Sequence, residues 1–114
     1  MPRDDSAYLL DMLLAARDAL SFTEGTSYHD FVQDRRTQLS VLKAVEIVGE
    51  AAAHVSEDTR QAHPDIPWRE IVGMRNRLVH VYFDIDLSLV WATVRDDLPA
   101  LITLLKPLVP PETE

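Results

Sequence analysis

The chain has 114 residues and 46% of them are hydrophobic, which fits one domain built on one core and excludes disorder as a class. A formal net charge of −8 argues against broad, non-specific nucleic-acid binding, which rests on neutralised phosphates, though it leaves room for a local basic cleft. Cysteine is absent, so there is no disulfide framework, thiolate metal site or thiol nucleophile, and the three glycines lean the chain towards helix. The opening residues MPRDDSAYLL carry two acids where a secretory signal needs a basic segment, and no apolar run reaches the roughly 18 residues of a membrane span, so the expected location is the cytoplasm.

Asp4, Asp5 and Ser6 offer side-chain oxygens to the free N–H groups of a first helical turn. Tyr8, Leu9, Met12, Leu13, Ala16 and Leu20 then recur at three-and-four spacing, which predicts an amphipathic helix to about Phe22, with 23–27 as its stop and loop. A second helix is expected from about Phe31 to near Ser56, with Leu42, Val45, Val48, Gly49, Ala52 and Val55 as its stripe. Gly49 and Ala51 to Ala53 are small enough to let another helix come close. A short helical turn over 57–62 precedes His63-Pro64-Asp65-Ile66-Pro67, where each proline pushes its predecessor out of the α region.

Pro67 suits the first position of a third helix, which continues through Trp68, Arg69, Glu70, Ile71 and Val72. Asp84-Ile85-Asp86 reads as a turn capping a fourth segment from Leu87, with Leu89, Val90, Trp91 and Val94 on its apolar side. Pro99 bends or restarts that helix after Asp96 and Asp97, and Leu101, Ile102, Leu104, Leu105 and Leu108 complete the core. Residues 106–114, rich in proline and acid, read as a frayed tail. The expected fold is all-α: one domain over 1–114, an antiparallel bundle of four main helices, five with the short one.

The third helix raises the chemical question. On a helical wheel Trp68, Ile71, Val72, Leu78 and Val79 share a face, and Arg75 and Tyr82 fall inside it. An arginine on an apolar face must meet a carboxylate, a partner subunit or an anionic ligand. Glu46 and Glu50, a turn apart on the second helix, are candidate carboxylates for Arg75 or Arg77. His80 lies five residues after Arg75, and an unbroken helix would separate them by roughly 140° and 7.5 Å, so they cannot converge within one straight helix. Either the helix ends near Val79 or the site is completed across a dimer interface. The plainer reading of the same residues is a surface arginine with its stem along an apolar edge and a histidine favouring a helix C-terminus.

The run Arg75-Asn76-Arg77-Leu78-Val79-His80-Val81-Tyr82 resembles the Arg-x4-His-x-Tyr signature of the HEPN superfamily. More closely, IPWREIVGMRNRLVHVYFDIDLSLVW, 66–91, resembles the HepT toxins, and EIVGEAAAHVS, 46–56, resembles their second helix. The resemblance implies a homodimeric helical bundle with a metal-independent ribonuclease site at the dimer cleft, no cofactor, and tRNA or mRNA as substrate. It also implies a cognate MntA-type nucleotidyltransferase antitoxin that silences the toxin by transferring AMP to the motif tyrosine. By that resemblance His80 and Arg75 are the catalytic pair, Asn76 is the polar residue following the arginine, and Tyr82 is the modification site. Histidine can exchange a proton near neutrality, and arginine stays charged and can hold two phosphate oxygens. Arg69, Arg77, Arg35 and Arg36, with Lys43, are weaker candidates for an RNA path. Asp84 and Asp86 could bind a cation, but turn formation and capping account for them and no metal is expected. The competing reading is a non-catalytic helical module that binds a nucleotidyltransferase or nucleotides, using the same residues.

Overall fold

The computed structural model of the chain describes residues 4–79 and 84–110. Helix α1, Asp5–Thr23, starts at Asp4, whose carboxylate accepts from Ala7 N at 3.2 Å. It ends at Thr23, which is buried and donates its hydroxyl to the Leu20 carbonyl at 3.1 Å. A one-turn helix α2, Tyr28–Phe31, follows, and then α3, Arg35–His54. The expected second helix therefore begins later than Phe31, and the turn before it is a separate element. Two caps cause this: Ser27 Oγ accepts from Asp30 N at 3.1 Å, and Asp34 Oδ1 accepts from Thr37 N at 3.1 Å. Phe31 is fully buried at the junction, and the buried Gln38 side chain donates to its carbonyl at 2.9 Å.

Helices α1 and α3 form the most extensive packing in the molecule. Met12, Leu13, Ala16 and Ala19 of α1 and Val41, Val45, Val48 and Ala52 of α3 are buried, as the three-and-four spacing requires. Beyond α3 the short α4, Glu57–Ala62, is capped by Ser56. Arg60 of α4 reaches back to the end of α3, donating from Nη2 to Ala52 O at 2.9 Å and from Nε to Val55 O at 3.2 Å, and so adds donors to the carbonyls of the helix end.

The expected third helix is two short helices, α5, Trp68–Val72, and α6, Met74–Leu78, divided at Gly73. The shared apolar face does not survive that division. Val72 is 40% exposed, Val79 is extended rather than helical, and only Trp68, Ile71 and Leu78 of the expected stripe bury themselves from within these helices. Tyr82, expected on that face, lies outside the described residues. The fourth segment runs as α7, Leu87–Ala92, a π turn over Thr93–Asp97, and α8, Leu98–Leu105. Leu98 N–H bonds Thr93 O, five residues back. Pro99 has no N–H to give to the preceding turn, which is where the sequence placed the bend. Regular structure continues into the expected tail as a 3-10 turn, Lys106–Leu108, and Leu108 and Val109 pack on the core. Among the described residues there is no strand, only an isolated antiparallel bridge between Val79 and Ile85, and no helix is long and apolar enough to cross a membrane. The architecture is all-α, with α1, α3, the α5–α6 pair and the α7–α8 rod as its four main pieces.

One carboxylate ties the start of α1 to the α3–α4 corner. Asp5 accepts from Ser56 N at 3.0 Å and from the hydroxyls of Ser56 and Thr59. The Ser56 and Thr59 hydroxyls and the Ser56 N–H hold the Asp5 carboxyl below its ordinary value of 3.8. A depressed folded-state pKa contributes stability that is present above the unfolded value and lost as pH falls through the folded one. Asp5→Ala is therefore expected to lower the melting temperature at pH 7, by an amount equivalent to about 1 kcal/mol. Thermal melts across pH should show that deficit shrinking as wild type is acidified below 3.8; a deficit constant down to pH 2 would contradict the assignment.

Candidate functional site

The site is built where α3 meets the α5–α6 pair. Gly49 makes the meeting close: a Cβ there would lie 3.1 Å from the Ile71 carbonyl oxygen and 3.7 Å from that of Val72. Gly49 thus serves packing inside the chain. Gly73 then ends α5, its N–H bonding the Arg69 carbonyl at 3.1 Å, and α6 begins at Met74. At the break the Glu70 carbonyl accepts from Arg77 Nη1 at 3.0 Å.

Arg75 and Arg77 stand roughly 200° apart around α6, so they serve opposite sides of it. Arg75 faces α3. Its Nε lies 3.4 Å from Glu46 Oε1, with the two side chains 41% and 24% exposed. The pairing of Arg75 with Glu46 is one of the partnerships open in the sequence, and it removes the difficulty of an arginine on an apolar stripe: Arg75 sits at the edge of the core, not in it. Glu46, Gly49, Glu50, Ala53, Val72, Arg75 and Asn76 line a cleft of about 460 Å³ open to solvent. Arg75 and Asn76 therefore share one site, with two carboxylates on its α3 wall.

Arg77 is not brought there. It lines a separate groove between α5–α6 and α8 with Asp65, Glu70, Asp96 and Asp97 over a floor that includes Ile71, Met74 and Leu101. Arg69 lies beyond Val72, in a pocket with Glu57, Arg60 and Trp68. Arg35 and Arg36 open α3 and are exposed, about 15 Å along the helix from Glu46. Lys43, also exposed, is one turn from Glu46 and is the nearest of the expected basic residues on that helix. The proposed RNA path is thus not a continuous basic surface leading to Arg75.

The end of α6 bears on the question the helical wheel raised. The helix stops at Leu78, and Val79 is extended at φ −123° and ψ 124°. Leu78 and Val79 are buried, Val79 bridges to Ile85, and Asp86 N–H bonds the Leu78 carbonyl at 2.8 Å. His80 and Tyr82 lie outside the described residues. Asp86 is used as a cap, accepting from Leu89 N at 3.1 Å and from the Ser88 hydroxyl at 3.0 Å. Among the described residues no group of three histidine, cysteine or acidic side chains is placed to hold a metal ion. The sequence reading missed the division of the third helix; Gly73 was the available signal, as a glycine inside a helical pattern.

The contact at Gly49 predicts the sensitivity of this corner. Gly49→Val is expected to destabilise the fold by about 1–3 kcal/mol, because a branched side chain meets backbone carbonyls that cannot rotate away. Denaturant unfolding would check this, and an unchanged midpoint would show that α5 can move aside.

Comparison with known proteins gives the chain a family. Residues 12–108 match the model of the family described as Ribonuclease HepT-like. A protein of Thermococcus cleftensis named as a probable ribonuclease HepT is 41% identical over 101 residues, 89% of this chain and 92% of that one. A protein of Methanocaldococcus jannaschii named as a candidate RNase is 40% identical over 99 residues, 87% of this chain and 91% of that one. A candidate RNase of Caldanaerobacter subterraneus is 31% identical over 105 residues, covering 92% and 94% of the two chains. No solved structure matches the chain.

Proposed function

The chain belongs to the Ribonuclease HepT-like family, and from that premise we propose that it is a metal-independent endoribonuclease, the toxin of a toxin–antitoxin pair, acting through Arg75, Asn76 and His80. The observation that carries this reading is the end of α6: the helix stops at Leu78, so the angular separation that a straight helix would impose between Arg75 and His80 does not apply. The cleft that holds Arg75 and Asn76 is open to solvent and large enough for a phosphodiester.

RNA carries its own nucleophile. In the proposed reaction the 2′-oxygen bonds to phosphorus as one histidine takes its proton. The bond from phosphorus to the 5′-oxygen then breaks, and a second histidine protonates that oxygen. Arg75 neutralises the charge that gathers on the non-bridging oxygens, and Asn76 orients the phosphate. A homodimer supplies both histidines as two copies of His80. The products are a 2′,3′-cyclic phosphate and a 5′-hydroxyl. Each proton removed is returned, so no metal is needed to generate the nucleophile.

Silencing follows from Tyr82. A cognate MntA-type nucleotidyltransferase would join the tyrosine oxygen to the α-phosphorus of ATP, releasing pyrophosphate. The AMP left on Tyr82 places an anion where the RNA phosphate is needed. Family membership and the intact Arg-x4-His-x-Tyr sequence support this; a docking module that binds the transferase without turnover would not require the arginine and histidine.

Unmodified protein, verified by intact mass, is expected to cut tRNA or mRNA in excess chelator. Arg75→Ala and His80→Ala should each lower the rate by at least about a hundredfold. End analysis of the fragments should find cyclic phosphates; 3′-hydroxyl ends would rule out the 2′-oxygen as nucleophile. Tyr82→Phe should cleave RNA yet resist silencing by the transferase and ATP, whereas silencing that persists in this variant would remove Tyr82 from the scheme.

A further inference from the structure

The cleft poses a problem that the proposed chemistry does not solve. Its single arginine faces a wall with two carboxylates, Glu46 and Glu50, in a chain of net charge −8. RNA phosphate must reach Arg75 past these groups. A carboxylate beside a phosphate-binding arginine can act in two ways: it can occupy the guanidinium and block it, or hold it and aim it.

The geometry of the pair separates the two. A blocking carboxylate would take two parallel N–H bonds, the forked arrangement that makes arginine–carboxylate pairs strong. Here the contact is single and long: Oε1 of Glu46 meets Nε of Arg75 at 3.4 Å, and among the described residues Nη1 and Nη2 have no partner. The two terminal nitrogens form the other edge of the fork, and that edge carries the two donors a phosphate needs. Glu46 is also the less exposed of the pair, 24% against 41%, so it is the fixed member and the arginine tip is the wetter one. Its position is set by the backbone: it lies one turn before Gly49, where α3 and α5 touch, while Arg75 lies one turn before the buried Leu78. Glu50, a turn further on, makes no hydrogen bond or ion pair with the guanidinium.

We infer that Glu46 is a positioning residue: it tethers Arg75 through Nε so that the Nη edge of the guanidinium is presented to the scissile phosphate of RNA. The inference rests on the ribonuclease reading for what that edge receives; the tether itself does not. An untethered arginine would have to lose its rotamer freedom on binding, and a displaced one would miss the developing charge. The pair is half-exposed and contributes little to folding, so its removal changes function without threatening the fold.

Two variants test this. Glu46→Gln keeps an oxygen acceptor for Nε; Glu46→Ala removes it. The nitrogen-15 signal of the Arg75 side-chain Nε–H, identified by its loss in Arg75→Lys, reports the tether in every variant. The wild type and Glu46→Gln should show it shifted and protected from exchange, and Glu46→Ala should return it to the position of a free arginine. In RNA cleavage, Glu46→Ala should lower kcat/KM by roughly ten- to a hundredfold, while Glu46→Gln restores most of it. In an Arg75→Lys background the same alanine substitution should cost nothing more, because Glu46 acts only through the guanidinium. Cleavage by Glu46→Ala equal to or faster than wild type would overturn the inference and make Glu46 a bystander or a block. Should wild type cut no RNA, the ribonuclease reading fails by itself. The Nε–H signal then decides the tether: its loss in Glu46→Ala with retention in Glu46→Gln sustains it, and no change refutes it.

Discussion

The approach of α3 to α5 at Gly49 is the constraint on which the rest of this site depends. With only 3.1 Å between a would-be Cβ and the Ile71 carbonyl, the two helices are nearly as close as backbones can come. That separation lets a glutamate one turn away on α3 reach an arginine on α6. A side chain at Gly49 would press on the Ile71 carbonyl and push α5 outward, loosening the approach that brings Glu46 to Arg75. The small residue is thus more than a packing convenience: it sets the width of the cleft.

Below that contact the fold is conventional helix physics. The α1–α3 pair buries its apolar stripe, the π turn accommodates Pro99, and polar side chains close the helix ends at Asp4, Ser27, Asp34, Ser56 and Asp86. Each of these caps appears as a short polar residue just before a helix. The first helix and the apolar residues of the second and fourth segments were therefore legible from spacing, and the Asp4 and Asp86 caps from residue type. Where the reading went astray, a local signal competed with a longer pattern. Periodicity carried the third helix straight through Gly73 because Trp68, Ile71 and Leu78 keep their spacing on both sides of the break. The second helix, expected from about Phe31, is bounded instead by the Asp34 cap.

The site was legible in part. That Arg75 needed an anionic neighbour followed from the cost of an unpaired charge, and Glu46 was among the candidates. The direction of Arg77 was not legible, since adjacent odd positions on a helix look equally available until the helix has neighbours. Nor was the isolation of Arg35 and Arg36, which share a helix with Glu46 but lie at its far end. Charge clusters in a linear sequence do not say which end of an element faces the site. Together these placements describe a cleft in which, among the described residues, one arginine is set among acids and no basic field surrounds it.

The division at Gly73 carries a thermodynamic consequence. Helices α5 and α6 have five residues each, far below the length at which an isolated helix holds itself together in water. Neither can form ahead of the surfaces it rests on. The turn that carries Arg75 exists because Ile71, Met74 and Leu78 are already inserted among the long helices. The segment that carries Arg75 therefore has no conformational autonomy: a chain still incompletely folded, as during synthesis, has the arginine in its sequence but no defined place to put it.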